Sequence, residues 1–261
     1  MTCAPATLAA IAAYWRKDHD HLTIANAICH EGTPWHKERQ WAEENGFDTR
    51  EFRLTADAVR ALIDRGVPFT LTTQAATSAH LQTCTGYDER IGIIYLRDPT
   101  ERHFGEMILE DLIQQHPIDG PRCMVLIPQE EAHRLGAIDL PDAAAYDAHH
   151  DLLVALDGHD RWKVEAGRST LRAVAPAHPL VHKGEERMAA WLQDWPRHLA
   201  AIDAQLAWTR GKPKRLRKKR GLSNPRNAHK PFYDREVKSP LWLIVLIIIV
   251  LVRGCLLVIE K

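Results

Sequence analysis

The chain has 261 residues, 45% of them hydrophobic and 26% charged, a composition ordinary for a folded protein of one good-sized domain plus a further segment, or of two small domains. Its five cysteines, Cys3, Cys29, Cys84, Cys123 and Cys255, stand without close pairs. That argues against a disulfide framework and against a zinc site, and it fits a reducing compartment. The 34 basic and 34 acidic side chains cancel, but not locally. Residues 212–238 hold eleven Lys or Arg against two acidic residues, so residues 1–211 form an acidic body on a basic stalk.

In chain order, residues 4–15 place Ala, Leu and Ile at helical spacing, with Pro5 in the first turn where its missing N–H does no harm. Residues 1–20 lack the basic n-region of a signal peptide. A second helix is expected over about 21–29, and "HKERQWAEENG" reads as a short helix stopped by Gly46. "LTADAVRALIDRG" reads as a helix with Thr55 as N-cap and Gly66 as its stop. The character then changes. "VPFTLTT", "SAHLQTCTGYD", "IGIIYLRDP" and "CMVLIP" are rich in β-branched and apolar residues and read as strands, with "GYDERIG" as a hairpin connection. Helices first and strands afterwards predict an α+β domain over 1–128.

Beyond Pro128 the chain turns helical again. Residues 142–156 and 159–173 are expected helices. "HPLVHKGEERMAAWLQDWPRHLAAIDAQLAW" reads as two antiparallel helices around a break at Trp195-Pro196. These predict a helical connector over 129–165 and a helix pair over 166–210 that resembles one tetratricopeptide unit, a surface suited to a protein partner. Residues 211–239 are a basic linker by composition. From Leu241 to Ile259, nineteen residues carry one charge, Arg253, which is long enough to cross a bilayer core. The expectation is a transmembrane segment over 240–260, with the basic stretch on the cytoplasmic side and the N-terminal domain cytoplasmic. "KPKRLRKKR" at 212–220 has no aromatic interleaving, so anionic lipid is the simpler partner and nucleic-acid binding is not expected.

Three residues carry the chemistry. Cys3 stands at the mouth of the first helix, where a thiolate is stabilised. A nucleophilic cysteine needs a base and a group that orients it. His80 lies near the start of one strand and Asp98 at the end of the next. If the two strands pair about a turn centred near Glu89, His80 stands opposite Asp98. Taken singly, each residue has a structural reading: a buried small thiol, a satisfied strand histidine and a turn-forming aspartate. Cys84 shares the face of His80 by period two, but reads as core. Trp15 and Trp35 read as core or as the walls of a peptide groove. His30 and His36 in "HEGTPWH" lack a third ligand at metal spacing, so neither metal nor cofactor is expected.

"CAPATLAAIAAYW" resembles the Cys-x-Pro-x-x-Leu helix of the bacteriocin-processing, double-glycine-leader cysteine peptidases, which are papain-like. "LIDRGVPFTLTT" and "SAHLQTCTGYDERIGIIYLRDP" are similar to that family's second half, where a strand His precedes a "GYD" turn and a strand ends in "DP". The resemblance covers about residues 1–128 and looks closest to the branch followed by tetratricopeptide-like helices. It implies a papain-like domain with Cys3 as nucleophile, His80 as base, Asp98 as orienting acid and a peptide as substrate. The family also carries a Gln several residues before the nucleophile, whose amide helps form the oxyanion hole. Only Met1 and Thr2 precede Cys3 in this sequence. Losing one such donor costs about 10²–10³ in rate, so a weakened peptidase is expected. The alternative is a non-catalytic peptide-binding module tethered to the membrane.

Overall fold

The computed structural model describes residues 3–30, 32–74, 79–115 and 121–211. The basic linker expected over 211–239 and the span expected over 240–260 lie, beyond Gly211, outside the described residues. Among the described residues no helix is long and apolar enough to cross a membrane.

Three helices open the fold: α1 (Cys3–Tyr14), α2 (His21–Ile28) and α3 (Trp35–Glu44). Strand β1 (Phe47–Arg53) follows, then α4 (Ala56–Ile63). The caps are local chemistry. Asp20 accepts from the Thr23 N–H at 2.8 Å and Thr55 from the Ala58 N–H at 3.2 Å. Gly66 ends the α4 region at φ +69°, a conformation side chains resist. Strands β2 (Phe69–Gln74), β3 (Ala79–Asp88), β4 (Ile93–Arg97) and β5 (Phe104–Ile108) come next, then α5 (Leu109–Gln115) and β6 (Arg122–Pro128). All the pairings are antiparallel, in the order β1-β6-β2-β3-β4-β5.

Strand β6, flanked by β1 and β2, is buried along its whole length, which explains the unbroken apolar run "CMVLIP". Met124 and Leu126 join Leu8, Ile11, Ile24, Trp41 and Phe47 on the α1–α3 side. Cys123, Val125 and Ile127 join Phe52, Phe69, Leu71 and Leu96 on the α4–α5 side. Leu135, Ile138 and Leu140 pack on that second core, so the domain's core runs past the boundary expected at 128.

Strands β1 and β5 were not among the expected elements. β1 interrupts the helices-then-strands order because its inward positions include Thr49 and Glu51, which hide its period-two pattern. Glu51 is buried against Arg122 of β6. The Arg122 guanidinium donates to Glu51 through Nε at 2.6 Å and to Glu38 of α3 through Nη1 at 2.8 Å. It also reaches Thr72 Oγ1 of β2 at 3.4 Å.

The remaining helices are α6 (Ala143–Asp157), α7 (Arg161–Val174), α8 (Pro179–Trp191) and α9 (Trp195–Gly211). The Asp160 cap, accepting from the Lys163 N–H at 3.1 Å, starts α7 at 161. The boundary expected between 165 and 166 therefore falls inside a helix. Helices α6, α7 and α8 share one core around Leu152, Leu171, Leu180 and Met188. Gly167 makes this possible: a Cβ there would stand 3.1 Å from Leu152 Cα. Helix α6 also packs on β1 and α3.

Replacing Arg122 with Leu leaves Glu38 a buried acid without its partner and Glu51 with Arg39 at 3.7 Å as its remaining cation, and the expected loss is about 3–5 kcal/mol. Urea unfolding should show the midpoint falling accordingly, and partial recovery when Glu38→Gln and Glu51→Gln are added. An unchanged midpoint in the single variant would contradict this account.

Candidate active site

The three residues singled out in the sequence stand together. Cys3 is the first residue of α1 and only partly covered. Thr7, one turn on and so on the same helix face, is 1% exposed and donates its hydroxyl to the Leu81 carbonyl at 2.9 Å. This bond clamps the start of α1 against β3, beside His80. The Cys3 thiol hydrogen-bonds to His80 and meets the backbone N–H groups of Leu81 and Ala4.

His80 Nε2 lies 2.7 Å from Asp98 Oδ2. That leaves Nδ1 as the ring nitrogen for the Cys3 sulfur. Asp98 is held on every side. Gln82 Nε2 donates to the same Oδ2 at 2.7 Å, while the Thr100 N–H and hydroxyl donate to Oδ1 at 2.8 and 2.7 Å. The last two bonds form an Asx turn immediately after β4.

The register differs from the expectation by two residues. Thr83 pairs with Arg97, and the next step along the ladder sets Gln82, not His80, beside Asp98. The cause is the connection. Its loop is residues 89–92, later than a turn centred on Glu89, and a bulge between Cys84 and Gly86 takes up one position. A two-residue displacement keeps the face, where one residue would have reversed it. His80 therefore reaches Asp98 diagonally, within the range of cross-strand neighbours.

The electrostatics follow the geometry. The hydrogen bond from His80 lowers the Cys3 pKa, against the opposing effect of burial. The same bond raises the His80 pKa to about 9; burial opposes the rise and Asp98 adds to it. Burial would lift the Asp98 carboxyl, but the hydrogen bonds from Thr100 and His80 hold it below the usual range. The two directions agree: the Cys3–His80 hydrogen bond favours the charged form of each partner, with Asp98 on the other ring nitrogen.

The other cysteines have different surroundings. Cys84 is fully buried beside Phe69 and Leu96 in the core, and burial pushes its pKa up to about 12. Cys123 is buried and its pKa is raised in the same way. Trp15 is packed in the core, with its Nε1 donating to the Leu126 carbonyl at 2.9 Å. His30 and His36 belong to no metal-ligating group among the described residues. Thr7 and Gln82 were missed in the sequence. Thr7 was signalled by its four-residue spacing from Cys3, and Gln82 only by a correct register.

Iodoacetamide should therefore alkylate Cys3 well below pH 8, with the acid limb of the pH–rate profile moving up in His80→Ala and by less in Asp98→Asn. A profile unaffected by His80→Ala would disprove the ion pair.

Residues 1–115 match the family model described as the Peptidase_C39 like family. Among solved structures, the chain is similar to the peptidase domain of Streptococcus ComA, a bifunctional ABC transporter involved in a quorum-sensing pathway. The identity is 19% and the TM-score 0.42, over 49% of this chain and 92% of that one. No curated protein matches the chain. The α+β domain with its antiparallel sheet carries the match, so that residues 1–115 of this chain are similar to the Peptidase_C39 like family.

Proposed function

We propose that the Cys3 site hydrolyses peptide bonds. The observation that carries this reading is the continuous hydrogen-bonded line from the Cys3 thiol through His80 to Asp98. The Cys3 thiolate attacks the peptide carbonyl carbon. Negative charge develops on the carbonyl oxygen at the start of α1, where the Cys3 N–H has no partner within the helix and the helix dipole is favourable. The His80 imidazolium gives its proton to the leaving amine, and the C–N bond breaks to leave a thioester on Cys3. Neutral His80 then takes a proton from water as the water attacks the thioester. Collapse releases the carboxylic acid and restores the thiolate–imidazolium pair.

Asp98 keeps Nε2–H in place and so fixes which ring nitrogen faces the sulfur. Gln82 and Thr7 are positioning residues. Gln82 holds the carboxylate and Thr7 holds the helix start. The resemblance to double-glycine-leader peptidases makes peptides with such leaders the first substrates to try.

Cleavage of a double-glycine-leader peptide, followed by mass spectrometry, tests the reading. Cys3→Ala should abolish cleavage and His80→Ala should reduce it by about 10²–10⁴. Gln82→Leu should lower kcat by about 10- to 100-fold while leaving KM in place, and should shift the alkaline limb of the pH profile. Cleavage that survives Cys3→Ala would overturn the proposal. Saturable binding of the peptide without cleavage would favour the binding-module alternative.

A further inference from the structure

Two adjacent histidines of α6 stand where a charge is costly. His149 is 5% exposed and His150 6%. His149 Nε2 and His150 Nδ1 are both buried without a hydrogen-bond partner. Helix α6 packs on α3 and β1 and also on α7 and α8, and its two histidines reach into both contacts. His149 meets α8, where a Cβ on Gly184 would stand 4.0 Å from His149 Cδ2. It also lines a cleft of about 660 Å³ beside Trp35, His36 and Trp191. His150 lies within the field of Arg39, Glu43 and His36 of α3. Buried polar nitrogens are normally satisfied, and a buried imidazole without a partner loses far more on gaining a charge.

The charges that face the pair are mostly positive, and the carboxylates among them are already held. Lys183 and Arg187 of α8 and Arg122 of β6 act on His149. Arg39 and Arg122 act on His150, against one carboxylate, Glu43. Glu43 Oε1 accepts from Arg39 Nε at 2.8 Å and from the Thr49 hydroxyl of β1 at 2.6 Å. Glu38 of α3 and Glu51 of β1 are bound to Arg122, and Asp147 of α6 to Arg39 at 2.7 Å. Asp157 of α6 stands 3.8 Å from His36 Nε2 and is paired with Lys37 at 2.5 Å. Glu186 of α8 accepts from Gln205 Nε2 at 2.7 Å. Helix α7 meets α6 through Gly167, against Leu152. Burial, with Lys183 next, holds the His149 pKa down to about 3. Burial, with Arg39 next, holds that of His150 down to about 4, and burial lowers that of His36 as well.

We propose that His149 and His150 form an acid-sensitive latch: as neutral rings they let α6 and α8 seat against α3 and β1, and protonation of the pair unseats those helices. The latch is independent of the Cys3 reading. A free imidazole titrates near 6.5, whereas the seated rings stay neutral well below that. The seated state is therefore fully favoured above about pH 6.5 and loses ground as pH falls. Each unit of pH below that raises the unseated-to-seated ratio by up to about tenfold per histidine, about a hundredfold for the pair. His80 acts in the other direction: with its pKa raised, its contribution is whole below pH 6.5 and is lost only as pH rises. Burial raises the pKa of Glu38 and of Asp151, so these acids also oppose the latch, equally in wild type and in variants of the pair.

Hydroxyl-radical footprinting of the full chain across a urea series, at pH 7 and at pH 5, tests it. Trp35 reports the seam, since its ring lies 5.1 Å from the Arg122 guanidinium of β6 and 4.9 Å from Lys183 Nζ of α8. Met124 reports the core under α1–α3, and Met188 the core of α6–α8. At pH 5 Trp35 should become oxidised at a lower urea concentration than at pH 7, and before Met124 and Met188 do. The double variant His149→Leu/His150→Leu should lose most of that pH shift. The single variants His149→Gln and His150→Gln, which keep a polar neutral side chain, should each lose about half of it, and they carry the test if the double variant does not fold. A Trp35 transition at the same urea concentration at both pH values would overturn the proposal. So would a shift that the single variants retain in full, or exposure of Trp35 only together with Met124 at pH 5.

Discussion

The buried guanidinium of Arg122 is the interaction on which the rest of this structure hangs. It is 2% exposed and lies between Glu38 and Glu51, each 4% exposed. Burial opposes its charge, yet the two carboxylates more than compensate, and its pKa is raised. Such a pair repays its desolvation only with good geometry and full hydrogen bonding. The geometry here joins α3 to β1, β6 and β2. Arg39 extends the line, with Nη1 3.7 Å from Glu51 and 2.7 Å from Asp147 of α6. One polar chain thus runs from β6, inside the sheet, to helix α6.

The Cys3 site stands at the end of that framework and needs three placements at once. Thr7 ties α1 to β3, the β3–β4 ladder sets Gln82 and His80 beside the end of β4, and the Asx turn at Thr100 stops Asp98 from rotating away. Thr72 connects the two levels. It touches Arg122 through its side chain and pairs across β2–β3 with Leu81, the residue next to His80. Each constraint uses backbone pairing or a short side chain, so little rotamer freedom remains to be lost when a substrate arrives.

Much of this was legible in the sequence, for physical reasons. Caps at Thr55 and Gly66 are local, and the apolar run of β6 states its burial directly. The face of His80 was readable because period two survives a displacement of two. What escaped reading depended on distant partners. β1 looks polar because Glu51 is satisfied by Arg122, seventy-one positions away. Gln82 gains its role from a bulge and a loop that no local motif announces. The join expected at 165/166 lies within α7, which starts at its own cap, and Leu135, Ile138 and Leu140, beyond the end expected at 128, pack on the core of the sheet. The cleft beside Trp35 could not be foreseen, since its two imidazoles come from α3 and α6, far apart in the chain.

The central claim is that Cys3 and His80 form an ion pair held by Asp98. The most direct measurement is an NMR pH titration of the His80 ring, using ¹⁵N-labelled histidine. The account predicts a pKa near 9, with a marked fall in Cys3→Ala. A His80 pKa near 6.5 that is indifferent to Cys3 would contradict it.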